Sequence, residues 1–148
     1  MKTVIPIEII TLGEENSFHL LVCGVINGQK CDLLIDTGAS HTIFDATLIP
    51  EMTDEEMSKI DMQIQSAGIH AGELKTGIGT IEKFKLGELK RTNWMVVLID
   101  LSHVNELYKK FTDKRVAGLI GSDFLLQHKA VIDYKRRELT LRDIRKFD

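Results

Sequence analysis

Apolar and polar residues alternate with a period of two over much of this chain, the pattern of half-buried strands. Ile5, Ile7 and Ile9 alternate with Pro6 and Glu8, which predicts an edge strand, because proline cannot donate to a ladder. Residues 18–26 and 30–35 predict a hairpin around Asn27-Gly28, a dipeptide suited to a two-residue turn. Thr53-Asp54-Glu55-Glu56 matches a capping box and predicts a short helix through Met57 and Ile60. Met62-Gln63-Ile64-Gln65 and Leu74-Lys75-Thr76 flank Gly68-Ile69-His70-Ala71-Gly72, a pattern for a hairpin with a mobile, glycine-bounded tip. Ile81, Phe84 and Leu86 lead to a turn at Gly87-Glu88, and residues 94–99 form a strongly apolar strand. Ser102 is placed to cap a helix whose Val104, Leu107, Tyr108 and Phe111 share one face, read here as core packing. The apolar run 117–120 predicts a strand ending at Gly121, followed by Ser122 as cap and a short helix to Lys129. Strands over 130–134 and 138–142 follow, joined by the basic turn Lys135-Arg136-Arg137.

The pattern is mostly β with a few short helices. A chain of 148 residues fits a single domain, 1–148, large enough to bury a core without metal or disulfide staples. Apolar residues make up 43% and charged residues 28%, and the net charge of −3 gives no reason to expect nucleic acid or an anionic membrane as partner. Lys83, Lys85, Lys90 and Arg91 read as a solvated strand face. No run of 18 apolar residues occurs, Pro6 and Glu8 interrupt any signal-like start, and the cytoplasm is the expected location. The hairpin register sets Cys23 opposite Asp32 and Cys31 opposite Gly24, so the two sulfurs lie on opposite faces and no disulfide is expected. Two cysteines without a C-x-x-C also argue against a structural zinc site, and neither metal nor cofactor is expected.

The chemistry concentrates where one apolar strand, Leu33-Leu34-Ile35, runs into Asp36-Thr37-Gly38-Ala39-Ser40. A carboxylate at the end of a buried run costs several kcal/mol, on the order of 2–7, unless neighbouring donors hold it. Chains keep such an acid mainly where its chemistry is useful, although Asp, Thr and Gly are also ordinary turn residues. Thr37 offers a hydroxyl, and Gly38 a backbone N–H that can come close. Leu119-Ile120-Gly121 looks like a second half-unit related to Leu34-Ile35-Asp36, with glycine in place of the acid.

With these pieces in this order, the chain resembles the retropepsin-like aspartic proteases over roughly residues 16–142. Residues 34–40 resemble the catalytic loop, 66–76 the flap, and Leu119-Ile120-Gly121-Ser122-Asp123 the apolar-apolar-Gly motif before the single helix. The resemblance implies a closed acid-protease barrel with a flap hairpin. It implies catalysis by Asp36, with Thr37, Gly38 and Ala39 supporting the loop, and substrate contact from Gly68, Ile69, His70, Ala71 and Gly72. It also implies a homodimer acting on a peptide or protein substrate. Peptide hydrolysis by this route needs two carboxylates sharing a proton, and this chain supplies one Asp-Thr-Gly, so each of two copies would contribute Asp36. Ala39 cannot donate to an ionised carboxylate as a serine there would, so activity is expected nearer neutral pH. Two positions depart from the viral pattern. Ser122 stands where viral members usually carry arginine, and residues 102–116 look like an inserted helix, as in the bacterial single-domain branch.

Other chemistries fit less well. No G-x-x-x-x-G-K-[ST] loop cradles phosphate, Gly77-x-Gly79 lacks a third glycine, and no His-Glu-x-x-His motif occurs. Ser40 and His41 are adjacent, and on a strand-like path they would point apart. The alternative reading is a non-catalytic module of the same fold that binds extended peptides by strand addition.

Overall fold

A computed structural model describes residues 1–13, 17–48, 58–59 and 76–143. The alternation seen in the sequence becomes two sheets. The smaller has three strands in the order β1 (Lys2–Pro6), β11 (Glu138–Arg142), β10 (Val131–Asp133). The larger runs β2 (Glu8–Thr11), β3 (Phe18–Ile26), β4 (Gln29–Ile35), β9 (Val116–Ile120), β5 (Ile43–Asp45), β8 (Leu89–Ile99), β7 (Thr76–Leu86), β6 (Ser58–Lys59). An added β3–β7 pairing bends this sheet back on itself into the barrel expected of the fold. Two helices, α1 (Ser102–Phe111) and α2 (Ser122–Gln127), complete the described chain.

The first hairpin forms as its sequence dictates. Asn27 and Gly28 take φ of 48° and 82°, the left-handed conformation that a tight turn demands, and Cys23 lies opposite Asp32 with Gly24 opposite Cys31. Both cysteines are free, and burial pushes the Cys31 thiol up to about 12. Gly87, at φ 61°, turns β7 into β8.

Strand alternation sorts the core into two clusters. Val22, Leu33, Ile35, Phe44 and Ile120 face one, whereas their chain neighbours Leu21, Ile43 and Leu119 face the other with Tyr108 of α1. Each such side chain, fully buried, stabilises the fold by about 1.5–3 kcal/mol. In the first cluster Phe44, Phe84, Trp94 and Phe124 pack largely edge to face, with centroids 5.0–6.3 Å apart.

Several expectations change. The single N-terminal strand is two strands in different sheets, and Ile7 bridges them by donating its N–H to the Arg137 carbonyl at 2.8 Å. The expected helix through Met57 and Ile60 does not include Ser58 and Lys59, which pair with Ile78 and Gly77 of β7; the rest of that segment lies outside the described residues. Long-range pairing outweighs a local capping signal there. On α1 the expected core stripe is incomplete, for Tyr108 is buried and Val104 half-buried while Leu107 and Phe111 are exposed. The N-cap position is Leu101, not Ser102, and carries no side-chain cap; Asp100 Oδ1 instead accepts the Ser102 N–H at 2.8 Å and the Ser102 hydroxyl as well. Arg91 leaves the solvated face expected for it. Its guanidinium lies 4.5 Å from the Trp94 ring centroid and 4.9 Å from that of Phe124. Its Nη2 donates to Gln127 Oε1 at 2.9 Å and to His128 Nε2 at 2.5 Å.

Candidate active site

The two half-units of the sequence lie side by side. β4 pairs in parallel with β9, setting Leu34 beside Leu119 and Ile35 beside Ile120. The Asp36 N–H continues this ladder by donating to the Ile120 carbonyl at 3.0 Å. Asp36 therefore leaves the sheet at the same level as Gly121, from the central strands of the barrel.

Local sequence then closes the turn. The Ala39 N–H donates to the Asp36 carbonyl at 3.1 Å, and the Gly38 N–H donates to Asp36 Oδ1, also at 3.1 Å. A charged acceptor makes the second of these the stronger class of hydrogen bond. A Cβ at Gly38 would stand 3.4 Å from that same oxygen, an ordinary contact, so the turn does not by its packing alone demand glycine there. Asp36 is partly exposed, Thr37 and Gly38 are exposed, and Ala39 is fully buried beneath the loop. The carboxylate is thus presented to solvent on a loop whose underside is packed.

The loop is clamped from the opposite side. The Ser122 N–H donates to the Ala39 carbonyl at 2.8 Å, and the Gly121 N–H donates to Thr42 Oγ1 at 3.0 Å. The Thr42 hydroxyl in turn donates to Asp123 Oδ1 at 2.7 Å, and the Thr42 N–H to Asp123 Oδ2 at 3.1 Å. Gly121 has no room for a side chain, as a Cβ there would sit 2.7 Å from the His41 backbone and 2.8 Å from the Ala39 oxygen. Glycine at this position is a demand of the clamp and not a lost acid. Thr42 carried no signal of its own in the sequence, whereas Asp123 stood in the Ile-Gly-x-Asp motif that marks the other half of the pair.

Ser40 and His41 do meet, with Oγ 3.0 Å from Nδ1, because residues 40–41 form a bend and not the strand-like path that would separate them. Beyond His41 and Thr42, a groove of about 240 Å³ runs between the loop, Trp94–Val97 of β8 and Asp123 of α2. A second cleft, of about 580 Å³, lies under α1 near Asp45, away from Asp36. The expected flap tip, Gly68, Ile69, His70, Ala71 and Gly72, lies outside the described residues. Among the described residues no cluster of three or more His, Cys, Asp or Glu could hold a metal, and no helix is long and apolar enough to cross a membrane.

Comparison with known proteins agrees with this geometry. The family model described as aspartyl protease matches residues 22–124. Among solved structures, the retroviral protease-like domain of Ddi1 from Leishmania major is similar at 20% identity, with 91% of each chain covered and a TM-score of 0.53. A retropepsin-like aspartic protease from Rickettsia conorii is similar at 17% identity, with 95% of this chain and 92% of that one covered and a TM-score of 0.55. No match is found among curated proteins. The family match spans both the Asp36 loop and the Gly121 clamp, and the chain belongs to the retropepsin-like aspartic protease family.

Proposed function

We propose that this protein is an aspartic endopeptidase whose active site forms where two copies bring their Asp36 carboxylates together. The observation that carries the proposal is the matched ending of β4 and β9, where Ile35 pairs with Ile120 and the next residues are Asp36 and Gly121. Within one chain the structurally equivalent strand end is filled by a glycine that the loop leaves no room to replace. A second carboxylate must then come from a second Asp36. An isologous dimer supplies it, because one surface meets its own copy. Two carboxylates about 3 Å apart cannot both ionise comfortably and share one proton. The ionised one takes a proton from water as the oxygen attacks the peptide carbonyl carbon. The protonated one donates to the carbonyl oxygen. The carboxyl that took the water proton then gives it to the peptide nitrogen while the other recovers a proton from a hydroxyl of the tetrahedral species, and the C–N bond breaks to release acid and amine.

The Gly38 N–H fixes one Asp36 oxygen, Thr37 takes the place of an inter-subunit hydroxyl, and buried Ala39 supports the loop from below. Gly68, Ile69, His70, Ala71 and Gly72 are assigned to a flap that closes on an extended peptide. Among the described residues β10 is an edge strand and gives a surface for self-association, since exposed Val131 and Tyr134 lie on or beside it and Leu126 of α2 is 82% exposed. The two free cysteines suit a reducing compartment, and the cytoplasm is the location we assign.

The test joins a peptide library to sedimentation. Asp36→Asn is expected to lower kcat/KM by about 10³-fold or more while leaving the dimer intact, as loss of general acid–base catalysis requires. A strictly monomeric wild-type protein that cleaves peptides refutes the dimeric site. A wild-type protein that binds peptides without cleaving them, and binds equally well as Asp36→Asn, establishes the non-catalytic module in its place.

A further inference from the structure

Asp45 is a fully buried carboxylate at the end of β5. α1 and the residues after it stand over this strand end and leave the cleft of about 580 Å³, a size ordinary for a small-ligand site. Asp36 and its loop contribute nothing to the walls, so what binds here is independent of the proposed peptidase.

The two oxygens of Asp45 differ in their surroundings. Oδ1 accepts the Thr47 N–H at 3.0 Å, the Thr47 hydroxyl at 2.9 Å and the Leu101 N–H at 3.2 Å. Oδ2 has no donor so close. Asn105 Nδ2 stands 3.5 Å away, and Val116 holds that amide at both ends. Nδ2 donates to the Val116 carbonyl at 3.0 Å, and the Asn105 Oδ1 accepts the Val116 N–H at 2.7 Å. Arg115 Nη2 is 3.9 Å away, beyond hydrogen-bond distance, on a side chain that is more than half exposed. Asn105 and Arg115 are both walls of the cleft, so Oδ2 is the oxygen turned toward it. A buried carboxylate oxygen without a close donor is costly, and a ligand that brings one removes the cost.

The charges around the cleft select the sign of that ligand. Lys114 is committed to Glu8 at 3.1 Å, a contact that raises its affinity for the proton. Among the described residues this leaves Lys109 and Arg115 against the carboxylates of Asp45, Glu106 and Asp113. The three carboxylates do not converge closely enough to hold a metal ion. An extended cation with several donors suits them, and a planar guanidinium matches carboxylate oxygens best. We propose that the cleft receives a guanidinium group, with Asp45 Oδ2 as the acceptor at its floor and Glu106 and Asp113 as acceptors at its exposed rim. The group arrives on a small molecule or on an arginine of a partner peptide. Arg115 competes for the same oxygen and does not hold the ligand.

Amide NMR on the full chain, following Thr47, Leu101 and the Asn105 side chain, reads the binding. The probes are agmatine and acetyl-Ala-Arg-Ala-amide, with the glutamine counterpart of that peptide as control. Signals moved by agmatine alone identify a small-molecule ligand, and tighter binding of the arginine peptide identifies a partner's side chain. Asp45→Asn keeps an acceptor for Thr47 and Leu101 and is expected to weaken agmatine binding about tenfold or more, the worth of a charged hydrogen bond. Glu106→Gln is expected to weaken it about twofold and Arg115→Ala to strengthen it about threefold, as for exposed ion pairs. Where Asp45→Asn does not fold, the other two variants decide. Asp36→Asn is expected to bind agmatine as the wild type does, so failure of the peptidase leaves this result standing. An Arg115→Ala protein that binds agmatine no better than the wild type overturns the proposal. So do signals that neither guanidinium probe moves, or that the glutamine peptide moves equally. Inorganic phosphate that moves the same signals, and ceases to do so in Arg115→Ala, establishes an anion site in its place.

Discussion

Replacing Gly121 by alanine tests the clamp that shapes the Asp36 loop. The new Cβ would meet the His41 carbonyl group at 2.7 Å and the Ala39 oxygen at 2.8 Å, and all of these atoms are backbone. No rotamer change relieves the clash, so the loop and the start of α2 must separate by about 0.7 Å to reach the 3.4 Å of ordinary contact. That movement strains the Gly121 N–H bond to Thr42 and the Ser122 N–H bond to Ala39. Overpacking of this kind costs about 1–3 kcal/mol, and each weakened hydrogen bond about another 1 kcal/mol. A loss of about 3–5 kcal/mol follows, which for a chain of this size lowers Tm by about 10–15 °C. The displacement falls on the loop of Asp36, the proposed catalytic residue, where an error approaching 1 Å would cost about 10²-fold in rate. Calorimetry and peptide cleavage measured together supply the assay, with Ser122→Ala as the neighbouring control, because the Ser122 side chain is exposed. A Gly121→Ala protein with wild-type Tm and unmoved amide resonances for residues 38–42 would falsify the clamp.

Two further outcomes follow from buried polar groups. His128 is 3% exposed, accepts from Arg91 at Nε2, and its Nδ1 donates to the Arg142 carbonyl at 2.9 Å, so the fold holds the neutral ring. Burial first, and the Arg91 charge with it, keep His128 below 6.5, partly offset by the bond to Arg142. The unfolded chain takes up that proton first, so stability is present above pH 6.5 and declines as the pH falls toward the lowered folded value. Tm should therefore drop between pH 7 and pH 5 by more in the wild type than in His128→Gln, and equal slopes would show that His128 contributes nothing. Asp45 is fully buried and its Oδ1 accepts from the Thr47 N–H and hydroxyl and from the Leu101 N–H, with Arg115 Nη2 3.9 Å from Oδ2. Asp45→Ala strands these donors and should cost about 3 kcal/mol or more in urea unfolding, whereas a loss under about 1 kcal/mol would show that water replaces the carboxylate.

Local patterns were the legible part of this chain. The Asn27-Gly28 hairpin, the Gly87 turn, the two helices and the Asp36 loop all rest on residues within a few positions of one another. The similarity of residues 34–36 to 119–121 was legible as two related half-units, and the parallel pairing of their strands came only with the fold. What stayed hidden depends on distant partners. Arg91 reads as a surface cation until Trp94 and Phe124 are folded around it, and the Thr53 capping signal gives no warning that β7 will claim Ser58 and Lys59. Thr42, just before β5, and Asp45, its last residue, look ordinary in the sequence. Their roles come from Asp123, Leu101 and Arg115, to which no local periodicity points. His19 was equally silent, since the group it meets is Tyr108 of a helix whose Leu107 and Phe111 turn outward.

The tie between Thr42 and Asp123 joins positions 81 residues apart. Contacts of such separation carry a large loop-closure cost and tend to form late, and parallel strand pairing is intrinsically slow for the same reason. The Asp36 turn can be drafted as soon as β4 exists, but its clamp waits for β9 and α2. During synthesis the chain is therefore expected to carry an unfinished site until residues past Asp123 have emerged. A peptidase assembled in this order would have its cutting edge completed only once the segment past Asp123 had joined the fold, which spares the residues made before it.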